Sequence, residues 1–320
     1  MQTAPDLKDA SSEDVVVVGK AVGDARRADL LRVLQHDSFA VSELARLFGV
    51  AQPAISHHLK VLREASLISQ RREGNTIFYQ RCDPSGSMLT RALFSAIDQH
   101  PPSAALRRRI EQVHRDRDKA VQAFFASNAD ALKSQRKLIA ESEVYAGVLQ
   151  EMWRGRPSHP RRALEVGPGD GRILRLLAED FDHVLGIDRE LQMLTPVREE
   201  VADRKNVSLA DQALDALPKD SRFDVIVAAM VLHHQASPQR FFRLAGERLV
   251  EGGSLLIAEL DQHQHDWAAE ACGDLWLGFS QNELDSWALS VQLHPIGRQF
   301  LAQRNGFSIH LTHYSKENTQ

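Results

Sequence analysis

One glycine-rich turn organises the second half of this chain: Glu165-Val166-Gly167-Pro168-Gly169-Asp170-Gly171. The apolar run Arg162–Val166 leads into it and indicates a buried strand, whereas the amphipathic pattern of Arg172–Leu177 behind it indicates a helix. A second apolar run, Val184–Asp188, ends in an acid. This order of strand, glycine turn, helix, strand and terminal acid is typical of a unit that binds a nucleoside, because the acid is placed to accept hydrogen bonds from ribose hydroxyls.

Strands and helices alternate from residue 161 onward, which is typical of a layered α/β fold. The predicted strands cover residues 163–166, 183–187, 207–210, 223–229, 254–259, 296–301 and 307–314. The last two flank Asn305-Gly306, which is a favoured pair for a type I′ hairpin turn. The sheet is therefore predicted to close with an antiparallel pair of strands.

Residues 15–80 show a different pattern, in which short helices precede a two-stranded hairpin. Ser42 is placed to cap a helix over Glu43–Phe48, which Gly49 ends. A second helix is predicted over Gln52–Glu64, and the two short strands follow it. The spacing therefore predicts a helix-turn-helix with a hairpin behind it.

The second of these helices has one apolar side and one polar side. Its apolar residues, Ile55, Leu59 and Leu62, are expected to pack on the preceding helix. The polar side is placed to enter a DNA major groove, and basic residues of the hairpin are placed to contact phosphates or the minor groove. The candidate DNA-binding residues are Gln52, Ser56, His57, Lys60, Arg63, Arg71 and Arg72. Together these features predict a winged helix-turn-helix.

The stretch from Ala54 to Ala65, Ala-Ile-Ser-His-His-Leu-Lys-Val-Leu-Arg-Glu-Ala, resembles the ArsR family of bacterial repressors. The similarity extends from about residue 18 to residue 80. It implies a dimer that binds a palindromic operator and releases it on sensing an effector. The chain departs from the family at Ala51, where a capping serine or threonine is usual. It also has no cysteine in the helix over 43–48, so the family's thiol site for soft metals is not expected.

Residues 161–320 resemble the class I S-adenosylmethionine-dependent methyltransferases. The resemblance implies an α/β Rossmann-like domain following an α+β winged helix-turn-helix domain, with S-adenosylmethionine or S-adenosylhomocysteine as the cofactor. It places the ribose hydroxyls at Asp188, the adenine beside Asp211 and the entry of a methyl acceptor at Met230. The implied cofactor-binding residues are Glu165, Gly167, Gly169, Gly171, Asp188, Asp211 and Met230. The alternative is a dinucleotide-binding domain, but the glycines here recur at every second position rather than with G-x-G-x-x-G spacing.

Methyl transfer needs a nucleophile aligned with the sulfonium methyl group and sometimes a base. His233 and His234 follow the fourth predicted strand of this domain and are the candidates for catalysis, while a Leu-His-His sequence is also a common structural feature of this fold. No metal site is expected. His263 and His265 lie in a polar segment that fixes no geometry, and the adjacent histidines of the predicted recognition helix face different directions.

Charge divides the 320 residues into regions of opposite sign. Residues 15–100 carry 11 basic and 8 acidic residues, residues 101–160 carry 11 and 7, and residues 161–320 carry 16 and 24. The positive front half favours a polyanionic partner there. We therefore expect a disordered tail over 1–14, a DNA-binding domain over 15–100, a helical connector that offers a dimerisation face over 101–160, and a methyltransferase-like domain over 161–320.

Over its whole length the chain resembles ArsR-type regulators fused to a methyltransferase-like domain, some of which respond to S-adenosylhomocysteine and control methionine-cycle genes. The resemblance implies a homodimeric repressor whose partners are double-stranded operator DNA and an adenosyl small molecule. The alternative is an active methyltransferase of a small molecule that carries an autoregulatory DNA-binding domain. The sequence shows no signal peptide or membrane span, and its two cysteines, Cys82 and Cys272, lie far apart, so we expect a cytoplasmic protein with no disulfide framework.

Overall fold

The computed structural model describes residues 12–154 and 162–317. They form two compact units, of which the first ends at Asp118 and the second begins at Lys119. The predicted connector over 101–160 is therefore divided between the two units. No helix among the described residues has the length and apolar character needed to cross a membrane.

The predicted disordered tail lies mostly outside the described residues, which exclude 1–11. The first described helix begins at Ser12, so residues 12–14 are helical rather than disordered. Residues 155–161, at the end of the predicted connector and the start of the predicted second domain, also lie outside the described part of the chain.

The first unit is a winged helix-turn-helix. Its elements are α1 (Ser12–Val22), α2 (Ala25–Val33), β1 (Phe39–Ala40), α3 (Val41–Phe48), α4 (Gln52–Glu64), β2 (Ile68–Glu73), β3 (Thr76–Arg81), α5 (Met88–Asp98) and the start of the long helix α6 (Ala104–Ile139). The strands pair antiparallel in the order β1-β3-β2. Ile55, Leu59 and Leu62 of α4 are fully buried in the core of this unit, as their helical spacing predicts.

The start of α3 differs from the prediction. Ser42 does not cap the helix, because the helix already begins at Val41. The side chain of Glu43 serves this end instead, since its Oε2 accepts the backbone N–H of Ala40 at 2.8 Å. Gly49 ends α3 in the left-handed conformation (φ +64°), as predicted. A glutamate at the third helical position can reach back to the N–H of the N-cap residue, whereas Ser42, two residues after the N-cap position, cannot cap the helix.

The second unit is a helix-covered sheet. After α6 its elements are α7 (Ser142–Arg154), β4 (Arg162–Val166), α8 (Arg172–Asp180), β5 (His183–Asp188), α9 (Leu191–Glu200), β6 (Val207–Asp211), β7 (Phe223–Ala229), α10 (Pro238–Arg248), β8 (Leu249–Leu260), α11 (Asp266–Cys272), α12 (Gln281–Leu289), β9 (Leu293–Ala302) and β10 (Ser308–Lys316). Within the described residues, seven strands join in the order β6-β5-β4-β7-β8-β10-β9. Strands β4 to β8 run parallel, so the carboxyl ends of β4, β5, β6 and β7 meet at one edge.

The sheet closes with the predicted antiparallel strands, because β10 pairs antiparallel with both β8 and β9. The predicted type I′ turn is wrong. Of the pair Asn305-Gly306, the glycine has a positive φ (+90°) but the asparagine does not, and a type I′ turn requires both. Asn305 instead donates from Nδ2 to the carbonyl of Ile139 (2.9 Å) and accepts the N–H of Phe307 (3.1 Å). These hydrogen bonds hold a longer loop between the two strands.

Candidate functional site

The glycine turn leaves the carboxyl end of β4, at the centre of the parallel strands, and begins α8. Gly167, Gly169 and Gly171 all have left-handed backbone conformations, with φ of +68°, +56° and +83°. The backbone path alone therefore favours glycine at each position. The N–H of Gly167 donates to the carbonyl of Ile187 (2.8 Å), and that of Gly171 donates to the carbonyl of Pro168 (2.8 Å). These bonds fix the turn against the end of β5.

The three glycines differ in what surrounds them. A methyl group on Gly167 would lie 2.7 Å from Cγ2 of Val231, and one on Gly171 would lie 3.1 Å from Cγ of Glu200. A methyl group on Gly169 would meet no atom within 4 Å in the described part of the chain. Gly167 and Gly171 are therefore packed into the fold, whereas Gly169 borders open space at the edge of the sheet.

Glu165 lies two residues ahead of the first glycine and is 1% exposed. Its Oε2 atom has no hydrogen-bond partner among the described residues. Burial, assisted by the charge of Asp170, raises the pKa of this carboxyl well above its ordinary value. Asp170 is held in turn by Ser142 of α7, whose Oγ donates to Oδ2 at 2.5 Å. A buried acid with an unsatisfied oxygen, two residues ahead of the glycine turn, is the kind of group that a donor on a ligand satisfies.

Asp188 and Asp211 end the neighbouring strands β5 and β6 and are paired in the parallel register. Asp188 is half-buried, and its Oδ1 accepts the N–H of Glu190 at 2.9 Å, whereas Asp211 is exposed. Burial, followed by the charge of Asp188, raises the pKa of Glu190. Both predicted cofactor-binding acids thus lie at the edge of the sheet where the glycine turn emerges.

Met230 follows the last residue of β7 at the same edge. It has a left-handed conformation (φ +56°) although it is not glycine, and its N–H donates to the carbonyl of Ala258 at 2.8 Å. This conformation costs a residue with a side chain about 1–2 kcal/mol. The chain then passes Val231, which packs on Gly167, and enters a single 3₁₀ turn over Leu232–His234. All the predicted cofactor-binding residues therefore lie on the segments that meet at this edge.

The two candidates for catalysis lie in that 3₁₀ turn. His233 is 4% exposed, and its Nδ1 lies 2.5 Å from Oε1 of Glu259, a fully buried acid of β8. The other oxygen of Glu259 accepts the N–H groups of Leu232 (2.8 Å) and His233 (3.3 Å). The sequence predictions did not include Glu259. The signal for it was present, because one acid stands in the otherwise apolar run Leu255–Leu260.

The candidate DNA-binding face lies in the first unit. The residues predicted to reach DNA from α4 are all exposed: Gln52, Ser56, His57, Lys60 and Arg63. Their exposure on the side opposite the buried leucines is what a groove-reading helix needs. Arg63 also donates to Oε1 of Gln70 on β2 (2.8 Å), which connects the helix to the hairpin.

The two arginines of the hairpin differ. Arg72 is exposed, and its Nε donates to the carbonyl of Gly74 (2.8 Å) at the tip of the wing. Arg71 forms an ion pair with Glu73, and the two side chains are only 10% and 4% exposed. Adjacent residues of a strand point to opposite faces, so one arginine faces solvent and the other faces the unit's interior. Arg71 is therefore poorly placed for the DNA contact predicted for it.

Comparison with known proteins agrees with both halves of this description. The family model described as "Methyltransferase domain" matches residues 113–310, and the model described as "Bacterial regulatory protein, arsR family" matches residues 24–70. The transcriptional repressor SdpR of Bacillus subtilis is 37% identical over 62 residues, which are 19% of this chain and 69% of the repressor. The tRNA U34 carboxymethyltransferase of Psychromonas ingrahamii is 33% identical over 108 residues, 32% of this chain and 33% of the enzyme.

The matched segments span between about half and four fifths of the curated regulators and one third of the tRNA enzyme. Among solved structures, the 1,6-didemethyltoxoflavin-N1-methyltransferase of Burkholderia thailandensis, with S-adenosylhomocysteine bound, superposes with a TM-score of 0.52. It is 17% identical, and the match covers 64% of this chain and 91% of that enzyme. At this identity the likeness concerns the fold.

Proposed function

Because the chain belongs to the methyltransferase-domain family and carries an ArsR-type regulatory domain in front of it, we propose that it is a transcriptional repressor controlled by an adenosyl compound. In this proposal the first unit binds operator DNA, and the second binds S-adenosylmethionine or S-adenosylhomocysteine as the effector. It acts in the cytoplasm, where both partners are present. The observation that supports the proposal is the open space beside Gly169, at the edge of the sheet where Glu165, Asp188 and Asp211 lie, in a chain that also has an exposed polar side on α4.

The residues at this edge of the sheet fit an adenosyl ligand. Glu165 offers a buried oxygen without a protein partner, which suits the ammonium group of the methionine portion. Asp188 suits the two ribose hydroxyls, and the exposed Asp211 suits the donors at the edge of the adenine. Because Gly169 has no side chain, the methionine portion of the ligand has room to approach the turn. When bound, S-adenosylmethionine would supply an electrophilic methyl group, whereas S-adenosylhomocysteine would supply none.

We also propose that the repressor is a homodimer. Three consecutive valines of α1, Val15, Val16 and Val17, have 43–53% of their surface exposed, and Met88 at the start of α5 is 55% exposed. Exposed apolar residues grouped on the helices of a small domain favour covering by a partner. A second copy of the chain would bring a second recognition helix, as a palindromic operator requires.

Binding measurements test the proposal directly. The operator is first selected from random DNA duplexes with the purified protein, and gel shifts on that operator are then run with and without each adenosyl compound. Isothermal titration measures the affinity for each compound. We expect one compound to bind in the micromolar range or tighter and to change operator affinity at least fivefold, the lower end of ordinary allosteric coupling.

Two variants separate the two units. Asp188→Ala should weaken adenosyl binding at least tenfold and spare operator binding, because it removes the acceptor for the ribose hydroxyls. The double variant His57→Ala, Lys60→Ala should do the reverse, and Lys219→Ala, an exposed lysine of the second unit, is its matched control. The proposal is wrong if both compounds bind and neither alters operator affinity.

A second function has an observation of its own. The buried pair of His233 and Glu259, 2.5 Å apart, resembles a base held by a carboxylate at the edge where an acceptor would enter. This arrangement favours an active methyltransferase of a small molecule with an autoregulatory DNA-binding unit. Steady conversion of S-adenosylmethionine to S-adenosylhomocysteine on adding small-molecule nucleophiles would support it, and loss of turnover in His233→Gln would implicate the pair.

A further inference from the structure

A compact group of metal-ligating side chains lies just beyond the end of β7. His233 Nε2 is 3.8 Å from Oδ1 of Asp274, and His234 Nδ1 is 3.6 Å from the same oxygen. One ligating atom from each of the three residues lies within 4.8 Å of the others. The imidazole rings of the two histidines are 4.1 Å apart between centroids and tilted by 60°. The two histidines are consecutive residues of the 3₁₀ turn Leu232–His234.

This cluster is buried. The side chains of His233, His234 and Asp274 are 5%, 10% and 0% exposed. The carboxylate of Glu259, against the other side of the His233 ring, is also fully buried. Two imidazoles and a carboxylate, ligand types that zinc-class ions take, are thus collected in one buried place.

Glu259 prepares His233 for such a role. Its Oε1 lies 2.5 Å from Nδ1 of the ring, and because a carboxylate accepts, this contact favours the tautomer with the proton on Nδ1. Nε2 is then the ligating nitrogen, 3.8 Å from Oδ1 of Asp274. The carboxylate is fixed by the N–H groups of Leu232 and Leu260, each at 2.8 Å. A carboxylate that holds the far nitrogen of a histidine is the usual second layer of a metal site, where it fixes the tautomer and raises the basicity of the ligand.

We propose that His233 Nε2, His234 Nδ1 and a carboxylate oxygen of Asp274 bind a divalent transition-metal ion of the zinc class. A tetrahedral ion with bonds of about 2.0–2.1 Å separates its ligand atoms by roughly 3.3 Å, so the two distances to Asp274, 3.6 and 3.8 Å, would contract slightly and the group, now within 4.8 Å, would close around the ion. His234 Nδ1 also lies 3.4 Å from the carbonyl of Gly273, a contact that metal binding at this nitrogen would replace. Three protein ligands leave a fourth position for water or an acceptor oxygen. The site does not depend on the proposed effector, because none of its ligands is among the adenosyl-binding residues.

The other histidine pair of this unit offers a matched control. His263 and His265 lie two residues apart, whereas His233 and His234 are adjacent, and both rings of this second pair pack on Phe307, with centroids 4.9 and 4.7 Å away. The N–H of His265 donates to Nδ1 of His263 at 3.3 Å, which occupies that nitrogen. Among the described residues this pair does not join a third ligand in a metal-sized group. His265→Gln therefore removes an imidazole without touching the proposed site.

The experiment titrates the full chain, stripped of metal by a chelator, with Zn²⁺ by calorimetry and with Co²⁺ by absorption spectroscopy. We expect one high-affinity ion per chain, Co²⁺ bands with the intensity of a four- or five-coordinate ion, and a rise in Tm on adding Zn²⁺. Asp274→Asn and His234→Gln should each lower Zn²⁺ affinity at least 100-fold and abolish the intense bands. Glu259→Gln should lower it roughly 10- to 100-fold, as for other residues that orient metal ligands.

Two results would overturn the site. One is the absence of tight Zn²⁺ binding to the stripped chain. The other is binding that survives both Asp274→Asn and His234→Gln or that disappears in His265→Gln. Far-ultraviolet circular dichroism and the Tm without metal identify a variant that fails to fold. His234→Gln decides the matter in that case, because His234 is the most exposed of the three ligands and its loss disturbs the core least.

Discussion

Two single residues at the carboxyl edge of the sheet, Met230 and Glu165, each cost the folded protein free energy. Met230 has a side chain in a left-handed conformation, at about 1–2 kcal/mol. Glu165 buries a carboxyl oxygen with no partner in the described chain, which costs a further 1–3 kcal/mol by the usual order of magnitude. Costs of this kind concentrate where a ligand compensates them. Both residues were predicted to contact the cofactor, and both stay predictions until a ligand is measured.

The glycine that borders open space gives the sharpest residue-scale test. Gly169→Ala should lower the affinity for S-adenosylhomocysteine at least tenfold, because its methyl group would project into the open space proposed for the ligand rather than into protein. The φ of +56° adds about 1–2 kcal/mol of strain. Gly306→Ala is the control, since it has φ of +90° and only ordinary contacts with His265 at 3.6 Å. Titration calorimetry should find ligand affinity unchanged in Gly306→Ala, and an equal loss in both variants would refute the assignment.

Glu165 makes a second prediction, because its pKa is raised by burial. The folded chain then holds this proton more tightly than the unfolded chain does. The stability that this group contributes is fully present below its ordinary pKa and is lost as the pH rises from there through the folded pKa. Glu165→Gln removes that loss, so its Tm should exceed that of the wild type at about pH 8 but not at about pH 4.5.

At the higher pH the variant should melt at a higher temperature than the wild type, and this difference should disappear as the pH falls. Thermal melts without ligand at both pH values measure it. The same variant should bind S-adenosylhomocysteine more weakly, because the ligand's ammonium loses its carboxylate. A variant that is less stable than the wild type at both pH values would contradict the raised pKa.

At the scale of elements, the sequence period of helices and strands predicted which residues share a face. It did not predict contacts between residues that are far apart in the sequence. The helical period separated the buried Ile55 and Leu59 from the exposed His57 on α4. The strand period implies that Arg71 and Arg72 face opposite sides, but which one is buried depends on packing that the sequence does not display. Asp274 is 41 residues from His233, so no local pattern could bring it to the histidine pair.

In two places, hydrogen bonds to residues far away in the sequence overrode the local conformational preference of the chain. Asn305-Gly306 is a strong hairpin signal, yet the side chain of Asn305 bonds to the carbonyl of Ile139 at the end of α6 and the loop lengthens. Glu43 replaced Ser42 at the start of α3 for a related reason, since its carboxylate also binds Arg117 of α6. The predictions failed where a polar side chain had a partner far away in the sequence.

The hairpin offers an element-scale prediction from two adjacent arginines. Arg72→Ala should weaken operator binding and lower the slope of log affinity against log salt by about 1, because one exposed phosphate contact is lost. Arg71→Ala should instead lower the free energy of unfolding by roughly 3 kcal/mol, since it leaves Glu73 buried without its ion-pair partner.

Gel shifts at several salt concentrations and urea unfolding measure the two effects. Each arginine variant is the control for the other. Double substitution of Arg71 and Glu73 by residues of similar size and no charge should recover much of the stability, because no uncompensated charge then remains buried. An unchanged salt slope in Arg72→Ala would remove the wing from the DNA-binding face.

At the scale of the whole molecule, helix α6 is the element that both units share. Within the first unit Arg117 of α6 donates to both carboxylate oxygens of Glu43 (2.8 and 2.6 Å) and to the carbonyl of Ser38 (2.8 Å). Glu43 in turn holds the first turn of α3. Within the second unit Gln303 donates to the carbonyl of Ile139, the last residue of α6 (2.9 Å). A ligand can influence DNA binding only through an element whose arrangement both events bias.

An interruption of α6 therefore tests whether it carries the coupling. Insertion of two glycines after Ser127, an exposed position in the middle of α6, should break the continuous helix at a cost of about 1 kcal/mol per glycine. We expect adenosyl affinity and operator affinity, each measured alone, to stay within about threefold of the wild type. The ratio of operator affinities with and without ligand should fall to about 1, which is the value for no coupling.

The same insertion after Asp220, in an exposed turn before β7, should leave that ratio unchanged. If the ratio of operator affinities stays at its wild-type value after the insertion in α6, the coupling runs through contacts between the units or within a dimer. In that case α6 connects the two units without transmitting the effect of the ligand.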